Sequence, residues 1–156
     1  LVVAALPAAP PAEPALAAAG QAEATAELVA MVEAEDWAAA SRPLRRPSCA
    51  CDANARTTDW GYSLLRAAAE DGALEACEAL LRRRADANAR DPNGMTPLMG
   101  CVSGGDFRDV VRLLLAAGAD PSASTDDGFT ALAWATRLGR PAAIEALREA
   151  GATGRD

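Results

Sequence analysis

The feature that most constrains this chain is an internal period of about 33 residues. Asp52, Asp86 and Asp120 are spaced 34 residues apart, and the pentamer Asp-Ala-Asn-Ala-Arg begins at the first two of them. Two sets of glycines repeat at separations of 33 and 34 residues, namely Gly61, Gly94 and Gly128, and Gly72, Gly105 and Gly139. Such a period is typical of a stacked repeat protein, in which each unit packs only against its neighbours.

Each unit has the pattern of two short helices followed by a polar loop. A glycine precedes Ser63, Thr96 or Thr130, whose hydroxyl can cap the first helix. In the middle unit Pro97 follows the cap, at the first helical position, where its missing N–H costs nothing. A glycine then ends the first helix, and a second helix follows with apolar residues at helical spacing. The connection to the next unit is rich in Asp, Asn, Pro and Gly, which predicts a hairpin-like loop.

The composition favours helices over sheets. Aromatic residues make up only 4% of the chain, and much of its hydrophobic 51% is alanine, the strongest helix former. β-branched residues are too sparse for a sheet protein. Neither helix of a unit has enough apolar surface to fold alone, but stacked neighbours can share one continuous strip of Leu, Val and Ala. The sequence therefore predicts an all-α repeat solenoid.

These units resemble the ankyrin repeat. The segments "GMTPLM", "VVRLLLAAGAD" and "RADANARD" match the family pattern closely, and "DDGFTALAWA" and "GYSLLRAAAEDG" match it with substitutions. The resemblance implies about four repeats, each a helix–turn–helix with a hairpin loop, of which the first is degenerate. At the position of the family's conserved His the chain has Arg66, Met99 and Ala133. That departure implies the loss of a hydrogen bond between neighbouring turns and a weaker solenoid.

Five segments are predicted along the chain. Residues 1–24 read as an Ala/Pro-rich disordered leader or a signal-like remnant, and 25–58 as a degenerate capping repeat whose second helix is interrupted between Pro43 and Pro47. Repeats follow at 59–91 and 92–125, and a C-terminal repeat with a tail at 126–156. The start lacks a basic region, and no run of eighteen apolar residues occurs. We predict a cytoplasmic location, although the N-terminus is weakly signal-like.

Charge and composition disfavour several functions. The net charge of −7 argues against nucleic acid, which requires clustered basic residues. The short runs "RPLRR" and "RRR" read as solvated faces or helix C-terminal charges. The absence of His removes the commonest general base and the commonest metal ligand. We predict no catalytic residues, no cofactor and no metal site.

The four cysteines read mainly as core residues. Cys51, Cys77 and Cys101 occupy positions that hold small or medium apolar residues in the other repeats. Cys49 lies in a loop and is the candidate for a reactive thiol. A disulfide requires an oxidising compartment, and its pairing stays open from the sequence.

The resemblance also implies where a partner would bind. In ankyrin-like folds the hairpin tips and the first helices form a concave surface for other proteins. Carried onto this chain, the candidate partner-binding residues are Asp59, Trp60, Tyr62, Glu70, Asp71, Asn93, Met95, Asp126, Asp127, Phe129 and Arg137. Trp and Tyr are enriched in binding hot spots, although Trp60 and Tyr62 could equally cover the neighbouring repeat.

The predicted function is that of a non-catalytic protein–protein interaction scaffold or adaptor. Acidic residues at the rim favour a partner with a basic or polar segment. We expect a monomer that spans no membrane. The alternative is a regulatory or targeting segment of a larger enzyme or channel, and a stand-alone enzyme ranks third.

Overall fold

The computed structural model describes residues 13–46 and 48–152. Within these residues the chain forms eight α-helices in four successive pairs. They are α1 (Glu13–Glu33), α2 (Trp37–Arg45), α3 (Leu64–Glu70), α4 (Leu74–Arg82), α5 (Pro97–Gly104), α6 (Arg108–Ala116), α7 (Ala131–Leu138) and α8 (Pro141–Glu149). None of the helices in the described part of the chain has the length and apolar character needed to cross a bilayer.

The helices stack in two layers with one core between them. The first helices of the pairs, α1, α3, α5 and α7, contact one another in that order. The second helices, α2, α4, α6 and α8, do the same, and we call them the outer helices. Leu, Val and Ala side chains from both layers form a single buried cluster that runs from Leu28 to Leu147. In the described residues the only β-pairing consists of isolated bridges in the hairpin loops, such as Ser124 with Thr130. The predicted all-α repeat solenoid is confirmed.

Hydroxyl caps start the first helices of the last three pairs, as predicted. The side chains of Ser63, Thr96 and Thr130 accept hydrogen bonds from the backbone N–H groups three residues later, at 3.1, 3.5 and 3.2 Å. These bonds satisfy N–H groups that have no partner inside the helix. Pro97 occupies the first turn of α5.

The asparagine of each Asp-Ala-Asn-Ala-Arg pentamer connects its repeat to the next one. The Asn54 carboxamide oxygen accepts from the backbone N–H of Asp86 at 2.8 Å, and its amide group donates to the carbonyl of Arg84 at 3.4 Å. Asn88 repeats both bonds one unit later, to the N–H of Asp120 at 2.8 Å and the carbonyl of Gly118 at 3.0 Å. The pentamer is therefore scaffold, duplicated because both copies have the same structural role.

The first helix pair differs from the prediction in two ways. Helix α1 already begins at Glu13, inside the segment 1–24 that was predicted as a disordered leader or a signal-like remnant, and residues 1–12 lie outside the described part. The Ala-rich segment has a high helix propensity that outweighs its resemblance to a linker. Helix α2 continues through Pro43 to Arg45, so the predicted interruption is wrong at Pro43. Pro43 lies in the last turn of α2, where it removes one backbone hydrogen bond, and the helix ends two residues later at Arg45.

Three of the four cysteines are buried in the core as predicted, Cys51 among them, and the prediction for Cys49 is wrong. Cys77 and Cys101 are buried in the core as expected. Cys49, predicted as a reactive thiol, is instead joined to Cys51 by a disulfide. Their Cα atoms are 5.4 Å apart, within the usual range for a disulfide, because the chain turns between the two residues.

One member of the basic run after α4 has a structural role that the sequence did not predict. Arg83 donates hydrogen bonds to the carbonyls of Leu44 and Cys49, at 2.8 and 2.9 Å, and to that of Arg46. The end of α2 and the loop after it are therefore tied to the second helix pair. Arg83 is the C-cap residue of α4, which agrees with the predicted helix C-terminal charge, and Arg82 and Arg84 are exposed, which agrees with the predicted solvated face.

Candidate partner-binding surface

Five of the predicted site residues line a single cleft between the first helix pair and the first hairpin loop. These residues are Asp59, Trp60, Tyr62, Glu70 and Asp71. The cleft has a volume of about 280 Å³, and its other lining residues are Val32, Glu33, Glu35, Trp37, Thr57 and Ala67. We call it the acidic–aromatic cleft, because five carboxylates and three aromatic rings line it and no basic residue does.

The hairpin loop places Trp60 at its tip. Thr57 and Tyr62 pair across the loop, since the Thr57 N–H donates to the Tyr62 carbonyl at 2.9 Å and the Thr57 hydroxyl accepts from the Tyr62 N–H at 3.1 Å. Gly61 turns the chain in the left-handed region, at φ +66°, which glycine adopts without strain. As a result Trp60 projects from the turn with 69% of its surface exposed.

Tyr62 is held by contacts within the protein, unlike Trp60. The guanidinium of Arg66 lies 3.4 Å from the centroid of the Tyr62 ring, and Trp60 stacks beside that ring at 6.4 Å. Tyr62 is half-buried in this arrangement. The alternative to partner binding was that Trp60 and Tyr62 only pack against the neighbouring repeat. That structural role therefore fits Tyr62 better than Trp60.

Arg66 occupies the position of the family's conserved His in this repeat, and it makes buried contacts there. Its Nε is 3.6 Å from a carboxylate oxygen of Asp91, in the next hairpin loop, and its terminal amino group is 3.3 Å from Glu70. The Arg66 and Asp91 side chains are almost completely buried. The missing His contact is thus replaced at this interface by an ion pair between repeats, whereas Met99 and Ala133 offer no charged group.

The carboxylates of the cleft differ in how they are held. Glu33 accepts hydrogen bonds from the N–H and the hydroxyl of Thr58 at 2.5 and 2.6 Å, and these bonds lower its pKa. Asp71 accepts from the indole N–H of Trp37 at 2.9 Å. Among the described residues, Glu70 is the only one of the five carboxylates that forms an ion pair, with Arg66. The cleft consequently keeps an excess of negative charge.

A second aromatic cluster lies on the last repeat. The rings of Phe129 and Trp134 are 5.7 Å apart, and the guanidinium of Arg137 lies 5.9 and 6.0 Å from their centroids. Phe129 exposes 37% of its surface, and Arg137 is exposed. Two predicted site residues, Phe129 and Arg137, therefore come together here around Trp134, and we call these three residues the Phe129 cluster.

The hairpin tips form a continuous row. The backbone N–H of Asp126 donates to the Asn93 carbonyl at 3.4 Å, and Arg90 pairs with the Asp126 carboxylate at 3.2 Å. Asn93, Asp126 and Asp127 are exposed along this row, whereas Met95 is half-buried. The Met95 sulfur lies 3.8 Å from a terminal nitrogen of Arg66. The predicted residues thus fall into the acidic–aromatic cleft, the middle of the row and the Phe129 cluster.

Three of the charged and aromatic residues of the cleft were not predicted, namely Glu33, Glu35 and Trp37. All three belong to the first helix pair, whose turn lacks the glycine that marks the corresponding turn after α3 and α7. Glu35 adopts the left-handed conformation at this point, with φ +55°. The sequence feature that could have indicated them is the string "EAEDW", in which acidic residues precede a tryptophan in the degenerate first repeat.

A larger depression of about 650 Å³ runs along α1. Ala22, Ala26, Val29 and Ala30 form much of its lining. Its polar lining includes Asp52 and Arg56, which carry opposite charges. It therefore has little chemistry that would select a ligand, and the acidic–aromatic cleft is the better candidate site.

Comparisons with known proteins agree with this architecture. Residues 15–125 and 64–155 match the family model described as ankyrin repeats in three copies. An ADP-ribosylation factor GTPase-activating protein of Arabidopsis thaliana, AGD4, is 40% identical over 79 residues, which are 51% of this chain and 10% of that protein. Protein phosphatase 1 regulatory subunit 27 of Mus musculus is 40% identical over 68 residues, or 44% of each chain.

A third relative is a longer repeat protein. The ankyrin repeat and KH domain-containing protein mask-1 of Caenorhabditis elegans is 47% identical over 60 residues, which are 38% of this chain and 2% of the relative. The chain therefore spans less than half the length of each of these three relatives.

Proposed function

This chain belongs to the ankyrin repeat family, and from that premise we propose that it is a non-catalytic protein–protein interaction scaffold or adaptor. Ankyrin repeats are interaction modules, and the described residues expose a row of hairpin tips beside the first-helix layer. The partner binds along this row and the ends of the first helices, from the acidic–aromatic cleft to the Phe129 cluster.

The observation that carries this proposal is the exposure of Trp60. A tryptophan with 69% of its surface in solvent contributes little to the core, yet tryptophan is among the residues most enriched in binding hot spots. It lies beside a cleft and at one end of a row of loop tips, as an anchor for a partner would.

The charge of the surface sets the kind of partner. Four of the five cleft carboxylates have no basic partner among the described residues, and Asp127 adds another exposed carboxylate along the row. A basic or polar segment of another protein complements this surface, because opposite charges steer association and fix register. We propose that the protein acts as a monomer, which light scattering tests against the chain mass of 16.0 kDa. The Cys49–Cys51 disulfide disagrees with the predicted cytoplasmic location, because that compartment keeps thiols reduced, and cell fractionation decides between the two.

Affinity capture from cell extract tests the proposal. We expect the combined variant Trp60→Ala and Tyr62→Ala to recover far less partner than the wild type, since truncation of a hot-spot residue costs about 2 kcal/mol or more. Arg112→Ala, an exposed change on the outer helix α6, serves as the matched control and retains full recovery. Circular dichroism verifies that each variant keeps its helices. Equal recovery by the folded double variant and the wild type would show that the surface is assigned wrongly.

A second candidate is a regulatory or targeting segment of a larger enzyme or channel. The small share of the Arabidopsis thaliana relative that this chain spans, 10%, favours it. Sequencing of the full transcript tests it: a reading frame that continues into a catalytic or membrane domain supports this candidate, and stop codons close to both ends contradict it.

A further inference from the structure

The acidic–aromatic cleft has the chemistry of a site for a single cationic side chain. Trp37, Trp60 and Tyr62 supply aromatic faces, and Glu33, Glu35, Asp59, Glu70 and Asp71 supply carboxylates. The negative face of an aromatic ring attracts a cation, and it does so best where the cation loses part of its water. The cleft combines both attractions in a volume of about 280 Å³, which suits one side chain rather than a folded element.

The carboxylates are not arranged as ligands of a metal ion. Across residues 13–46 and 48–152, no three side chains of Asp, Glu, Cys or His converge closely enough to hold a metal. An organic cation fits better, because its charge is spread over several atoms and can be met by carboxylates at different points of the rim.

Two residues that line the cleft already bind a guanidinium of the protein, which lies buried behind the lining. Arg66 lies 3.4 Å from the Tyr62 ring centroid and 3.3 Å from the Glu70 carboxylate, so ring and carboxylate together bind it from within. Trp60 and Asp59 offer the same two kinds of group on the open side, and Trp60 is largely exposed. A planar guanidinium suits this pairing better than an ammonium, since it stacks on rings and is more weakly hydrated.

We propose that the acidic–aromatic cleft binds one arginine side chain of an extended segment of the partner protein. The inference rests on the proposed function and deepens it, because it names the group that the partner inserts. The guanidinium lies against Trp60, and the cleft carboxylates accept its N–H groups. The backbone of the partner segment then continues along the row of hairpin tips.

Titration with short peptides, followed by NMR of ¹⁵N-labelled protein, tests this inference. The probes are acetylated and amidated pentapeptides with a central arginine, lysine or citrulline between glycines; citrulline has nearly the shape of arginine without its charge. We expect the arginine peptide to shift the indole N–H signals of Trp37 and Trp60, and to leave that of Trp134, outside the cleft, unchanged. Relative to the arginine peptide, the lysine peptide should bind several-fold more weakly, and the citrulline peptide about tenfold more weakly.

Glu35→Gly is the most informative variant, because it removes a cleft carboxylate without straining the fold. Glu35 has a left-handed φ of +55°, a conformation that glycine holds at +70° in Gly72 and +65° in Gly139. We expect it to weaken the arginine peptide about threefold to tenfold. Glu78→Gln, an equal charge change on the outer helix α4, should leave the affinity unchanged.

The outcomes separate this inference from the proposed function. The arginine site is refuted if the arginine peptide shifts the indole N–H signal of neither Trp37 nor Trp60. It is also refuted if the citrulline or the lysine peptide binds as tightly as the arginine peptide. The proposed function stands in that case provided that the Trp60 and Tyr62 variant still loses its partner. If the peptide binds as expected and no partner depends on Trp60, the cleft binds arginine but the proposed partner-binding function fails.

Discussion

At the scale of single residues, the most constrained group is the buried pair of Arg66 and Asp91. Asp91 accepts the backbone N–H groups of Asn93 and Met95, both at 2.8 Å, and so shapes its hairpin loop while it faces Arg66. A buried charge is tolerated only when its partner stays in place. The family pattern has a His at the position of Arg66, so the sequence could indicate that the His is missing. It could not indicate the ion pair with Asp91 that replaces the His contact.

We expect Arg66→Met to destabilise the protein by about 3 kcal/mol, because it leaves the Asp91 carboxylate buried without a counter-charge. Chemical denaturation followed by circular dichroism measures the change. The matched control is Arg82→Met, which breaks an exposed pair with Glu78 at 2.8 Å and should cost at most about 0.5 kcal/mol. Losses of similar size in the two variants would refute the special role of Arg66.

The cysteines provide a second prediction at the residue scale. Burial raises the pKa of the Cys77 and Cys101 thiols to about 12 each, so both are protonated and unreactive at neutral pH. With Cys49 and Cys51 joined, we expect the folded, unreduced protein to react very slowly with a thiol reagent. After denaturation two thiols should react, and after reduction all four. Four reactive thiols without reduction would contradict the disulfide.

At the scale of elements, the connection between repeats depends on the asparagine of the pentamer. Asn54 and Asn88 each bond to the backbone of the following repeat. Ser122 occupies the corresponding place in the last unit, and within the described residues its hydroxyl bonds to Asp120 alone. The period showed that the pentamer is scaffold. It could not show the bonds themselves, because they join residues about 30 positions apart whose separation depends on the stacking.

Asn88→Ala should therefore destabilise the protein by about 1 to 2 kcal/mol, since it removes two hydrogen bonds between repeats. Ser122→Ala is its control, because the side-chain bond that it removes among residues 48–152 lies within one loop, and it should cost less than about 1 kcal/mol. Thermal or denaturant unfolding compares the two. If Ser122→Ala costs as much as Asn88→Ala, the bonds between repeats do not hold the stack as described.

At the scale of the whole molecule, the sequence predicted the last three helix pairs far better than the first. Hydroxyl caps, turn glycines and leucines recur with the period there, so each repeat supports the interpretation of the others. The first pair lacks these markers: α1 extends back to Glu13, and Glu35 takes the place of a turn glycine. For this reason the sequence indicated only part of the lining of the acidic–aromatic cleft. Trp60 and Tyr62 lie on a regular repeat and could be named, whereas Glu33, Glu35 and Trp37 lie on the degenerate one and could not.

The central claim is that the partner contacts the row of hairpin tips, and site-specific photo-crosslinking tests it most directly. A photoreactive amino acid replaces Asp127 on the third tip in one sample and Glu78 on outer helix α4 in another, both in otherwise unchanged protein. In cell extract we expect a crosslinked partner from position 127 and none from 78, with the crosslink competed by unlabelled wild type but not by Trp60→Ala. Crosslinks of equal yield from both positions, or from position 78 alone, would contradict the account.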